Sequence, residues 1–113
     1  MSKFKVAVLI SGSGSNLQAI IDKFQSDETI ELSCVLSNKK DAYGLKRASK
    51  ANIDNFFVDH TNYSSREDFD RELIGTLEKY KPDLVVLAGF MRILSPLFVN
   101  KYLGKLINIH PSL

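Results

Sequence analysis

Asn108 and His110 stand two residues apart in the run Leu106-Ile107-Asn108-Ile109-His110. Side chains alternate along a strand, so these two polar groups share one face about 6.5–7 Å apart, while Ile107 and Ile109 take the other. Histidine moves protons near neutral pH, and a carboxamide donates a hydrogen bond to a developing oxyanion. Together they suit acyl-type transfer. A histidine satisfied by a loop carbonyl is the structural alternative, and the residues alone leave both open.

Ser11-Gly12-Ser13-Gly14-Ser15-Asn16 joins a strand pattern to a helix pattern. Glycines let a backbone turn tightly and approach a ligand, and unpaired N–H groups at a helix start bind an anion, typically phosphate. A dinucleotide loop needs a third small residue where Leu17 stands, and an acid near the end of the next strand, where Ser37 and Asn38 stand. A Walker-type loop needs Gly-Lys-Ser/Thr, which is absent. A monophosphate site fits better, with a plain turn capped by Ser15 or Asn16 as the alternative. Gly89-Phe90-Met91-Arg92-Ile93-Leu94 is apolar for a connection, either a wall for a flat ligand or a lid on the protein's own core. Arg66 opens a helix, a poor place for a cation, and reads as solvated surface unless a ligand holds it. Asp59-His60 has no metal spacing or nucleophile motif beside it and reads as a solvent-exposed turn. Cys34 alternates within an apolar strand and reads as core.

These segments need a frame, and the hydrophobic pattern supplies one. Strand patterns fall at residues 4–10, 30–36, 56–58, 84–88 and 106–110, with helical spacing between them. Leu17, Ile20, Ile21 and Phe24 mark the first helix. Residues 41–51 mark a weaker second, with Leu45 and Ala48 inward. Phe69, Leu73, Leu77 and Tyr80 mark the third, opened by a capping box over Ser64-Ser65-Arg66-Glu67 and stopped by Pro82. Ser95-Pro96 predicts the cap and first residue of a short fourth helix, which Gly104 ends. Strand and helix alternate five times, predicting an α/β fold with a doubly wound, mainly parallel, Rossmann-like sheet. Ligands of such sheets bind beyond the carboxyl ends of the strands, where all the segments above lie.

The chain of 113 residues is expected to be one domain. A net charge of +2 with no basic stripe argues against nucleic acid as a partner. No apolar run approaches membrane length, and the polar start and single cysteine predict a cytoplasmic setting.

Taken together, Val8 to Ile20, Leu87 to Ser95 and Ile107 to Leu113 resemble the folate-dependent formyltransferase family. Asn108-Ile109-His110-Pro111-Ser112 marks the wider family, which includes methionyl-tRNA formyltransferases and formyltetrahydrofolate deformylases. Gly14-Ser15-Asn16 narrows the likeness to the phosphoribosylglycinamide formyltransferases of purine biosynthesis, along all 113 residues. The resemblance implies formyl transfer from 10-formyltetrahydrofolate to glycinamide ribonucleotide, without a metal. It implies phosphate on Gly14, Ser15 and Asn16, and folate on Arg66, Met91, Arg92, Ile93 and Leu94. It makes His110 the proton-transfer residue and Asn108 the group that steadies the tetrahedral intermediate.

Members of that family run to about twice this length, and the resemblance places in their second half an aspartate that pairs with the histidine. The expectation is therefore an N-terminal portion with little activity alone, and with exposed edge surface that a C-terminal half or a second copy would meet. Two alternatives remain: a non-catalytic phosphate- or nucleotide-binding half-domain, and a sibling formyltransferase with another acceptor.

Overall fold

Apolar, β-branched residues dominate Phe4–Ile10, and this run forms β1 at the centre of the sheet in a computed structural model that describes residues 3–109. α1 (Ser15–Phe24), β2 (Ile30–Ser37), α2 (Tyr43–Lys50) and β3 (Asp54–Phe57) follow. A 3-10 turn at His60–Asn62 leads to α3 (Arg66–Glu78), β4 (Leu84–Ala88), α4 (Pro96–Lys101) and β5 (Leu106–Ile109). The five strands run in the order β3-β2-β1-β4-β5, and every pairing is parallel. The chain winds outward from β1 in one direction, then crosses back to continue from β4 in the other. The reversal between β1 and β4 opens a crevice at their carboxyl ends.

Alternation along β1 builds two cores. Val6, Val8 and Ile10 pack with Leu17 and Ile21 of α1 and Ala48 of α2 on one face. Ala7 and Leu9 pack on the other with Cys34, Leu36, and the α3 and α4 residues Phe69, Leu73, Leu77 and Phe98. Fully burying one such side chain contributes about 1.5–3 kcal/mol, so the helices are held by their apolar stripes more than by propensity. The first face is not covered throughout. An apolar groove of about 230 Å³ runs between α1 and β5, lined in part by Phe4, Ile20, Phe24, Ile107 and Ile109. Phe4 and Ile107 are each 48% exposed there.

Several sequence expectations are corrected. β3 begins at Asp54, two residues before the Phe56-Phe57-Val58 run, because its register against Cys34–Ser37 sets its limits. Its outer positions are exposed, so hydrophobicity under-reports them. α3 is capped by Ser65, whose hydroxyl accepts from the Asp68 N–H at 3.1 Å, rather than by a box from Ser64 to Glu67. The helix ends at Glu78, and its buried stripe includes Asp70, a charge where the pattern shows only apolar residues. Ser95 precedes α4 as expected but makes no capping bond from its side chain, since its hydroxyl is used by Asp70. His110 and residues 111–113 lie outside the described residues, and β5 is described to Ile109.

Candidate functional site

β1 ends at Ile10, and the chain turns into α1 through Gly14, which adopts φ 79° and ψ 27°. Only glycine takes this left-handed conformation without penalty. A methyl group there would also meet Gly44 Cα at 2.6 Å. The loop is thus pressed against the start of α2. The Gly44 N–H donates to Gly12 O at 3.2 Å, and Arg47 Nε donates to Ser13 O at 2.8 Å while its guanidinium lies 4.9 Å from the Tyr43 ring.

This clamp aims the start of α1 outward. The first helical bond runs from the Gln18 N–H to Gly14 O at 2.7 Å, and Gly14 has no side chain to cap the donors before it. The N–H groups of Ser15, Asn16 and Leu17 therefore precede the helical ladder, at its partly positive end, with no acidic residue in the first turn. Ser15 and Asn16 border a cleft of about 330 Å³ whose walls also include Lys39, Gly89 and Met91. Lys39 is a cation that the motif reading missed. Its only signal in the sequence is its place after β2, at the same end of the sheet.

The β4 loop forms the facing wall, and it divides the two readings of its apolar sequence. Met91 and Ile93 are 76% and 73% exposed, whereas Phe90 and Leu94 pack on the α3 side core. Arg92 is half-buried with its guanidinium 5.4 Å from the Phe69 ring. The loop is tied at both ends. The Met91 N–H donates to Ser11 Oγ at 2.7 Å, and the Ser95 N–H and hydroxyl donate to Asp70 Oδ2 at 2.7 and 2.6 Å.

The other candidates are dispersed. Arg66 is exposed at the first residue of α3, one turn before Asp70. Asn108 is exposed on β5 opposite Leu87. Neither lines the cleft. His110 lies outside the described residues. Asp59 is a turn residue whose carboxylate accepts from the Thr61 hydroxyl and N–H, which hold it below the usual carboxylate range. His60 is not the solvent-exposed group expected. It is half-buried, its Nδ1 3.2 Å from Asn38 O and its ring edge-on to Phe69. Cys34 is buried in the core as expected, and desolvation pushes its thiol up to about 12.

A parallel sheet in the order 3-2-1-4-5, with a cleft at its reversal point, is a frame many proteins share, and comparison narrows it. The profile of the formyl transferase family matches residues 4–113, and the chain belongs to that family. It is 55% identical over 109 residues to the phosphoribosylglycinamide formyltransferase of Escherichia coli K12, which covers 96% of this chain and 51% of that protein. It is 54% identical over 114 residues to the trifunctional purine biosynthetic protein adenosine-3 of Chironomus tentans, covering 98% of this chain and 8% of that one. The solved phosphoribosylglycinamide formyltransferase of Coxiella burnetii superposes with a TM-score of 0.92 at 50% identity, covering 98% of this chain and 53% of its own. The chain thus spans about half the length of these bacterial relatives. Among the described residues no helix is long and apolar enough to cross a membrane.

Proposed function

We propose that this chain carries the phosphate-binding part and one wall of the folate-binding part of a phosphoribosylglycinamide formyltransferase. The observation that carries the reading is the uncapped start of α1, held outward by Gly14 across a cleft from Met91. Gly14, Ser15 and Asn16 would receive the phosphate of glycinamide ribonucleotide on their N–H groups, with Lys39 adding charge. Arg66 and the segment Met91, Arg92, Ile93 and Leu94 would receive 10-formyltetrahydrofolate, the exposed Met91 and Ile93 supplying apolar contact.

In the reaction, the lone pair of the glycinamide amine attacks the formyl carbon and negative charge gathers on the formyl oxygen. Asn108 donates a hydrogen bond to that oxygen. His110 takes the proton from the attacking nitrogen and returns it to N10 of the folate as the old carbon–nitrogen bond breaks. Tetrahydrofolate and the formylated amine leave. A histidine without a carboxylate to hold its tautomer is a weaker proton carrier, so little turnover is expected from this chain alone.

The test is calorimetric titration of the chain with glycinamide ribonucleotide, NAD and ATP in turn, alongside a formyl-transfer assay with 10-formyltetrahydrofolate. Saturable binding of glycinamide ribonucleotide, unmatched by the nucleotides, supports the reading. Tighter binding of NAD or ATP overturns it in favour of a nucleotide-binding module. Binding of glycinamide ribonucleotide that inorganic phosphate does not compete away puts the phosphate elsewhere and favours a sibling acceptor.

A further inference from the structure

Beneath the cleft, buried polar groups join the ends of three strands and the turn after the fourth. Ser11, after β1, is 3% exposed, as is Asn38 after β2. The Ser11 hydroxyl donates to Asn38 Oδ1 at 2.6 Å and accepts from the Met91 N–H, beyond β4, at 2.7 Å. Asn38 O lies 3.2 Å from Nδ1 of His60, in the turn after β3. The hydroxyl therefore uses both its hydrogen and a lone pair, and it is the one link between the α1 loop and the Met91 loop in this run. Alanine at position 11 would strand a buried acceptor and a backbone donor together. The Ser11-to-Met91 bond also spans the crevice where the two substrates of the proposed reaction would meet.

We infer that Ser11 is a positioning residue that registers the acceptor-binding loop against the folate-binding loop, so that filling one orders the other. The inference rests on the reading of those loops given above. An anion on the N–H groups of Ser15 and Asn16 stiffens the loop that begins at Ser11. Stiffening Ser11 fixes its hydroxyl, which fixes the Met91 N–H and the wall that follows. Ligands at the two ends then share one ordering cost, and each tightens the other.

Coupling is read without chemistry by titrating the full chain with tetrahydrofolate, in the absence and presence of saturating glycinamide ribonucleotide. The expected result is a tightening of about fivefold, the equivalent of one hydrogen bond. It should be lost in Ser11→Ala and restored in Ser11→Thr, which keeps the hydroxyl. A merely structural serine would weaken both ligands and leave their ratio alone. Coupling that survives in a folded Ser11→Ala variant overturns the inference, and so does binding of both ligands to the parent without coupling. Failure of the parent to bind either ligand overturns the underlying reading and the inference with it. Should Ser11→Ala fail to fold, amide exchange on the parent decides. Glycinamide ribonucleotide should slow exchange at Met91 by about fivefold, and an unchanged rate refutes the link.

Discussion

Gly12 and Gly14 look alike in the sequence, but replacing each by alanine should have very different consequences. At Gly14 the left-handed backbone costs an L-residue about 1–2 kcal/mol. The new methyl would also stand 2.6 Å from Gly44 Cα, a backbone atom that cannot swing aside. Overpacking of that kind costs about 1–3 kcal/mol. Restricting the unfolded chain returns about 0.4–1 kcal/mol. The net loss for Gly14→Ala is therefore about 1–4.6 kcal/mol. With an unfolding entropy of about 2.1 cal/mol/K per residue, Tm falls by about 4 °C per kcal/mol, or about 4–19 °C in all. Gly12 has nothing within 4 Å of a built methyl and no left-handed backbone, so Gly12→Ala should keep the gain from the unfolded chain and be about 0.4–1 kcal/mol more stable than the parent. Gly14→Asn separates the two costs, because asparagine tolerates the backbone but keeps the clash. Urea unfolding of the three variants is the assay. Equal stability of Gly14→Ala and Gly12→Ala would refute the close approach of α1 and α2.

Three further outcomes are expected. Ser65→Ala should cost about 1 kcal/mol by loss of the α3 cap, and Ser64→Ala almost nothing, both read by urea midpoint; the reverse order would restore Ser64 as the cap. Asp70→Ala should cost about 2–4 kcal/mol by stranding the Ser95 N–H and hydroxyl, and Asp70→Asn less than half as much because it keeps an acceptor oxygen; equal losses would show that Asp70 acts by charge alone. Cys34 keeps its proton in the folded state to about pH 12 while the unfolded thiol ionises near pH 8.5. Its contribution to stability is whole below pH 8.5 and declines as pH rises toward 12, by up to about 1.4 kcal/mol per pH unit. The stability difference between the parent and Cys34→Ala, followed by urea unfolding from pH 7 to 11, should shrink above pH 8.5; a constant difference would place the thiol in contact with water.

The elements were legible in the sequence where local pattern and tertiary demand agree. Val6 to Ile10 and Leu84 to Ala88 are apolar because their side chains enter the cores on the two faces of the sheet, and helical spacing is unmistakable from Leu17 to Phe24. β3 starts ahead of its apolar run because Asp54 and Asn55 are polar, and their place in the strand comes from pairing with Cys34 and Val35 of β2. The choice of Ser65 over Ser64 rests on which hydroxyl reaches the Asp68 N–H, which two adjacent serines do not announce. The loop over residues 11–16 was legible as an anion-binding candidate from its glycines and position. Its supports were not. Gly44 against Gly14, Arg47 on Ser13 O and Ser11 under Met91 are partners separated in the chain by up to 80 residues. Asp70 was hidden for another reason: a carboxylate inside an apolar stripe signals nothing until the serine it serves is known.

The strand order also sets a timetable. β1 finds β2 through a short crossover, yet its other neighbour, β4, is distant in sequence, and the bond from the Lys5 N–H to Asp83 spans 78 residues. Closing so long a loop is entropically costly and slow. During synthesis β1 and its glycine-rich turn emerge well before β4 and wait, one flank unpaired, until β4 has followed. The cleft is consequently a late product of folding. Substitutions at the start of β4, at the end of the strand away from the cleft, should delay the appearance of binding capacity more than that of helical signal, so a refolding experiment followed by both probes would see the helices first and the site last.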